Sequence, residues 1–297
     1  MSYTSITIIV APYHTGLYDH RVGSGPLRIL SHNLVSKLEA LVPISFTNIG
    51  PVDAFEGEIG RTFEVLRRIA TAVAAAASRR SFPLVLSGNC NASAAVAAGL
   101  HASVPDLNVL WIDAHDDLDT PDTNVNGYLD AMAASMMCGR SWAALMASVP
   151  GHVPVSLDRV AYCGLRDVSE SQRKAVTVAG VDVIWGDARK KVAFGRELDG
   201  MLERKAFART HVHLDLDVLD ESLGRVNEWP SPGGLDERDL VECMEVIPKR
   251  TEPTSLVVCS FDARLEGGDT VARLAVDGIV RFLEGMKERG SLVVGEP

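Results

Sequence analysis

Short runs of Val, Ile and Leu recur along the chain, and most are unbroken rather than alternating with polar residues. They predict strands at Ser5–Val10, Val42–Phe46, Pro83–Leu86, Asn108–Ile112, Arg159–Cys163, Val181–Ile184, His211–Leu214 and Ser255–Ser260. Unbroken apolar runs of this length suit strands buried on both faces, as in a parallel sheet covered by helices. Longer stretches between them carry helical periodicity and predict helices at Pro26–Leu41, Glu56–Ser78, Ala92–Ala102, Ser169–Ala179, Asp236–Glu245 and Thr270–Glu288. Strand–helix alternation from end to end predicts a three-layer α/β/α fold with a mostly parallel, doubly wound central sheet. Ligands of such sheets bind beyond the carboxyl ends of the strands. Polar clusters fall at those ends: Gly88-Asn89-Cys90-Asn91, the cluster from Asp113, Arg166-Asp167, the cluster from Asp215, and Asp262.

Composition narrows the class. With 297 residues, 46% hydrophobic and 23% charged, the chain has globular composition, and the absence of a linker, charge run or repeat favours one domain over 1–297. A formal net charge of −10 without a basic stripe argues against a nucleic-acid partner, whose binding rests on Lys and Arg at phosphates. The start lacks the basic region of a signal peptide, and no apolar stretch approaches the roughly 18 residues of a membrane span. The cysteines, Cys90, Cys138, Cys163, Cys243 and Cys259, are odd in number and form no CxxC pair. That suits reduced thiols, and with them a cytoplasmic location, better than disulfides or a structural zinc site.

The chemistry concentrates in Trp111-Ile112-Asp113-Ala114-His115-Asp116-Asp117 and His213-Leu214-Asp215-Leu216-Asp217. Asp113, His115 and Asp117 are spaced by two, as are Asp215 and Asp217, and in extended chain such pairs point to one side. A single Asp-x-Asp is most often a cap or a turn. Two clusters following strand-like runs of one sheet instead bring four carboxylates and an imidazole together, where they repel unless protons or cations intervene. Such donors suit Mn²⁺ or Mg²⁺. Among the other histidines, His14 and His20 lie in a loop over the rim and could meet substrate or serve the surface, while His211, His213, Trp111 and Trp229 fit packing roles.

These motifs resemble the arginase–agmatinase ureohydrolases over nearly the whole chain. Asp113–Asp117 matches Asp-Ala-His-x-Asp, and Thr120-Pro121 matches the segment after it. Asp215–Asp220 with Pro232-Gly233-Gly234-Leu235 matches the second metal motif. Gly164-Leu165-Arg166 matches a glycine turn, and Ser87–Asn91 stands where the family has Gly-Gly-Asp-His-Ser. The resemblance implies two divalent metal ions, manganese in this family. One would be held by Cys90, Asp113, Asp117 and Asp215, the other by His115, Asp113, Asp215 and Asp217. It further implies a bridging hydroxide that attacks the guanidinium carbon of a small guanidino-type substrate, with Asp117 passing its proton to the leaving amine. Family members form trimers or hexamers, so a homo-oligomer is an option that no segment specifies.

Four departures limit what the resemblance carries. Cys90 replaces a metal-binding His, and is either a ligand or a small buried hydrophobe. In the segment Asn126-Gly127-Tyr128-Leu129-Asp130, Asp130 replaces the proton-shuttling His, and is either a general acid or a helix cap. Ser260 stands where a Glu grips the guanidinium, with Asp262 two residues on as a substitute. Asp119 and Ser169 replace an Asn and an Asp that contact an amino-acid substrate, and an anion at Asp119 would repel an α-carboxylate. Asn89-Cys90 and Gly127-Tyr128-Leu129 resemble the branch of Nω-hydroxy-arginine amidinohydrolases, with Asn126, Tyr128 and Ser260 on the substrate side. Two functions therefore stand. One is a binuclear-metal hydrolase of a linear C–N bond in a guanidino, hydroxyguanidino or related amidine compound. The other is a metal-poor, non-catalytic protein of the same fold that binds a ligand or partner.

Overall fold

The computed structural model describes residues 2–54 and 56–293. Eight strands pair in parallel: β1 (Ser5–Ala11), β2 (Ile44–Asn48), β3 (Ser81–Ser87), β4 (Asn108–Ile112), β5 (Val160–Leu165), β6 (Asp182–Trp185), β7 (Arg209–Asp215) and β8 (Glu252–Cys259). Their order across the sheet is β2-β1-β3-β8-β7-β4-β5-β6. Each strand divides its side chains between two cores. On β1, Ile6, Ile8 and Val10 face one side, Ile9 and Ala11 the other. That two-sided burial is why the strands read as unbroken apolar runs.

Among the described residues ten α-helices cover the faces: α1 (Gly25–Ser31), α2 (Leu34–Glu39), α3 (Glu58–Ser78), α4 (Ala92–Leu100), α5 (Ala133–Met137), α6 (Ala143–Met146), α7 (Glu170–Val178), α8 (Phe194–Lys205), α9 (Glu237–Arg250) and α10 (Gly268–Glu288). Side chains of α1, α2, α8, α9 and α10 join one core, and those of α3, α4 and α5 the other. No helix among the described residues is long and apolar enough to cross a membrane.

Two features depart from the periodicity. The expected helix over 26–41 is broken at Asn33, whose φ of +62° ends α1 and starts α2; Asn tolerates this left-handed conformation better than most residues. The sequence reading places no helix at 194–205, yet Phe194, Leu198, Met201 and Leu202 recur at helical spacing and are buried there as α8. A small hairpin, Tyr13–His14 against Leu17–Tyr18, carries His14 over the carboxyl rim of the sheet.

Gly88, just past β3, is where this rim is tightest. A Cβ there would collide with the Tyr13 carbonyl and stand 2.9 Å from Gly23 Cα. Gly88→Ala is therefore expected to cost about 1–3 kcal/mol, read as a lowered thermal midpoint. A variant melting like the parent would show that the first loop gives way freely.

Candidate metal centre

Four adjacent central strands, β3, β8, β7 and β4, deliver the polar clusters to one place. In the register, Cys259 pairs with Asp215 and Ile112 with Leu214, so Asp113 follows β4 directly beside Asp215. The convergence has a cause other than strand alternation. Asp113 Oδ1 accepts from the His115 N–H at 2.7 Å, and Asp215 Oδ1 from the Asp217 N–H at 2.7 Å. Each carboxylate thus folds its own chain into an Asx-type turn, and Asp217 lies in a 3-10 turn, not in the strand.

Two ligand groups result. Donor atoms of Cys90, Asp113 and Asp117 lie within 4.8 Å of one another, and so do those of Asp113, His115 and Asp217. Cys90 Sγ is 2.8 Å from Asp215 Oδ2 and 3.0 Å from Ser260 Oγ. His115 Nδ1 stands 3.5 Å from Asp113 Oδ1 and 3.3 Å from Asp217 Oδ2, with Asp167 3.5 Å from its Nε2. Asp113, Asp117, Asp215 and Asp217 are all buried.

Burial first, and then the charges of Asp113 and Asp130, push the Asp117 carboxyl well above its usual range; burial, Asp217 and Asp113 do the same for Asp215. For Asp113, burial is outweighed by hydrogen bonding to His115 and His213, which holds it ionised. Burial would lower His115, but the Asp217 charge and the contacts to Asp113 and Asp167 outweigh it and push the imidazole well above its ordinary value. The raised carboxyls reflect an excess of buried anions, and a divalent cation would invert those shifts. Asp117 Oδ2 and Asp217 Oδ1 have no hydrogen-bond partner among the described residues although both are buried. Buried carboxylate oxygens without donors, converging with an imidazole, are what a cation would satisfy. The donors fit a metal pair.

Other groups hold these ligands. The Trp111 indole N–H donates to Asp113 Oδ2 at 2.9 Å, and the Asn227 amide donates to Asp217 Oδ2 at 2.8 Å. His213, wholly buried, stacks on Trp111 and stands 3.5 Å from Asp113 Oδ2. Sequence reasoning assigned Trp111 and His213 to packing and passed over Asn227, because only the strand register and a loop ten residues past Asp217 bring them to the carboxylates.

Above the ligands lies a cavity of about 460 Å³, lined by His14, Asp119, Asn126, Tyr128, Asp130, Ser260 and Asp262 among others. Asp130 is neither exposed nor the cap of its own short helix. Its carboxylate accepts from the Asn89 amide at 2.6 Å and the Asn91 N–H at 3.1 Å, tying down the Cys90 turn. Burial, opposed by those hydrogen bonds, raises it to about 7. Asp119 accepts from the Asn124 amide at 2.8 Å, and Asn126 accepts from the Tyr128 N–H at 2.8 Å in an exposed turn. The Tyr128 ring faces His14 with centroids 6.0 Å apart. His14 is lowered to about 4 by burial and by Arg21 and His20. Asp262, expected to stand in for the gripping Glu, is already clasped by Arg264 through two 2.9 Å contacts. Ser169 lies outside the lining: its hydroxyl caps α7 in a capping box with Gln172, and Gln172 is the residue of that turn that reaches the cavity. The exposed Trp229 stands on the rim.

The chain is 30% identical to arginase-1 of Oryctolagus cuniculus over 266 residues, covering 82% of this chain and 81% of that protein. The structure of the Entamoeba histolytica arginase, in complex with L-ornithine, superposes with a TM-score of 0.84 at 16% identity, covering 95% of this chain and 99% of the other. That of the Bacillus subtilis arginase gives 0.80 at 22%, covering 94% and 98%. The model of the Arginase family matches residues 4–283. With that match over most of its length and polar clusters at the ends of four adjacent parallel strands, the chain belongs to the arginase family.

Proposed function

We propose that the protein is a metal-dependent hydrolase, manganese being the expected metal, that cleaves a linear C–N bond in a guanidino, hydroxyguanidino or related amidine compound. The observation that carries this reading is the group of buried Asp113, Asp117, Asp215 and Asp217 with the half-buried His115, all but Asp113 lining the cavity, with Asp117 Oδ2 and Asp217 Oδ1 unpartnered among the described residues. In this reading Cys90, Asp113, Asp117 and Asp215 would hold one cation, and His115, Asp113, Asp215 and Asp217 the other. A pair of divalent cations, when bound, lowers the pKa of water enough to make it nucleophilic near neutral pH.

The chain's own groups do the rest. Asp117 takes the proton of the attacking water at Oδ2 and hands it to the leaving nitrogen. Asp130, titrating near neutrality, is a second carboxyl at the same wall able to give or take a proton. Asp117, Asp119, Asp130, Asp167 and Glu228 surround the cavity, while Arg21 is its one Arg or Lys among the described residues, so a cationic or neutral substrate is favoured over an anion. With Asp262 clasped by Arg264, and Ser260 offering a hydroxyl in place of a carboxylate, a hydroxyguanidine, less basic than guanidine, fits better than a guanidinium.

The test is metal content after purification with added manganese, combined with a screen for urea and hydroxyurea release from guanidino compounds. About two equivalents of metal and one released product are expected. A folded but metal-free protein would point to the binding protein instead. Two metals with no product from any amidine would overturn the substrate class.

A further inference from the structure

Behind the carboxylates lies a donor set of another kind. Cys259, the last residue of β8, places its Sγ 3.9 Å from Cys90 Sγ and 3.9 Å from His213 Nε2. Cys90 Sγ is in turn 2.8 Å from Asp215 Oδ2. The donor atoms of Cys90, His213, Asp215 and Cys259 all lie within 4.8 Å of one another, and all four residues are buried. The sheet makes this cluster. Cys259 and Asp215 are register partners, His213 precedes Asp215 by two residues on β7, and Cys90 arrives from the turn after β3.

Two sulfurs, one imidazole nitrogen and one carboxylate oxygen are zinc-type donors. With bonds of about 2.3 Å to sulfur and 2.0–2.1 Å to nitrogen, neighbouring donors of a tetrahedral site stand roughly 3.3–3.8 Å apart. The sulfur–sulfur and sulfur–nitrogen separations here are close to that spacing. His213 is also held as a ligand would be. Its Nδ1 is 2.8 Å from the Ser93 hydroxyl, its ring stacks on Trp111 at 3.7 Å between centroids, and its Nε2 stands between Asp113 Oδ2 at 3.5 Å and the Cys259 sulfur at 3.9 Å.

We propose that Cys90, Cys259, His213 and Asp215 form a seat for a thiophilic divalent cation, zinc in type. It competes, through the shared Cys90 and Asp215, with the seat made by Cys90, Asp113, Asp117 and Asp215. This deepens the metal-dependent reading and rests on it. Carboxylate and imidazole at the Asp113–His115–Asp217 end suit manganese, whereas thiolates select softer metals, so the site divides into a soft end and a hard end. Binding displaces the proton of each thiol to solvent.

Metal-free, full-length protein titrated with cobalt(II) tests this through the near-ultraviolet thiolate-to-cobalt charge-transfer absorption. A band saturating at about one equivalent is expected, abolished by stoichiometric zinc but not by manganese. Cys259→Ser and Cys90→Ser should each remove about half its intensity, and His213→Gln should weaken cobalt binding by about tenfold or more. A Cys259→Ser spectrum equal to the parent's overturns the proposal. A variant-free check is X-ray absorption of the zinc-loaded parent protein, where two sulfur neighbours per zinc are expected and one would overturn it. No charge-transfer band in a protein that still binds manganese sinks this seat and leaves the hydrolase standing. Failure to bind any divalent cation sinks both.

Discussion

Asp117→Asn is expected to lower turnover by about 10²–10⁴-fold without disturbing the fold, the range lost when a positioned acid–base group is removed. The substitution keeps the shape of the side chain and removes its basicity. It also respects the backbone: Asp117 has φ +49°, a left-handed conformation that Asn accepts more readily than most side chains. The local chain is held independently of the carboxylate, since the Ser135 N–H donates to the Asp117 carbonyl at 3.0 Å. In metal-free protein the variant should melt no lower than the parent, because a buried carboxyl crowded by Asp113, Asp130 and Asp215 is replaced by a neutral amide. Loss of a ligand and loss of a proton carrier separate in the assay. Turnover is measured at saturating manganese with bound metal counted on the same sample, so that a variant fully loaded yet inactive has lost the proton role. Near-parental turnover in a loaded variant would remove Asp117 from the chemistry.

How much of this was legible in the sequence depends on the range of the interaction concerned. The strands could be read because burial on both faces leaves an unbroken apolar run, and the Asp113 and Asp215 clusters because short chemical motifs are local. The reason for their convergence was not legible as alternation: each first Asp bends its chain by accepting the N–H two residues on. What escaped is long-range. Cys259 and His213 look like core residues until the pairing of β7 with β8 sets one against the other's neighbour. Asn227 sits in a loop without periodicity and becomes visible only where it donates to Asp217. Asp130 shows the limit from the other side. Neither general acid nor cap of its own helix could be chosen from the sequence, and its carboxylate in fact holds Asn89 and Asn91, about forty residues away in the chain.

Arg166→Ala is expected to be the most destabilising single change near the site, on the order of 3–5 kcal/mol, with a fall in melting temperature on the order of 10 °C. Arg166 follows β5 and serves as a clamp. Its guanidinium donates to the carbonyls of Asp217 at 2.8 Å, Leu219 and Ser231 at 3.0 Å, Val218 at 3.1 Å and Gly164 at 3.2 Å. Gly164 is part of β5 itself; the other carbonyls belong to the turn that aims Asp217 and to the stretch leading into the Pro-Gly-Gly loop behind it. The glycines are part of the fit: a Cβ on Gly234 would meet the Val218 carbonyl and stand 2.7 Å from Arg166 Nη2. Alanine leaves several half-buried acceptors without a charged donor, each costing about 1–3 kcal/mol unless water enters. Lysine restores the charge but not the planar fork, so Arg166→Lys should recover less than half of the loss. Because Asp217 moves with its turn, both variants should also bind manganese more weakly, by about 10–100-fold for the alanine. Metal titration and thermal melts on the same preparations decide the point. An alanine variant that loses stability but keeps its metal affinity would mean the ligands are held by the sheet ends alone, and one that keeps both would mean that the Asp217 turn holds its shape without the clamp.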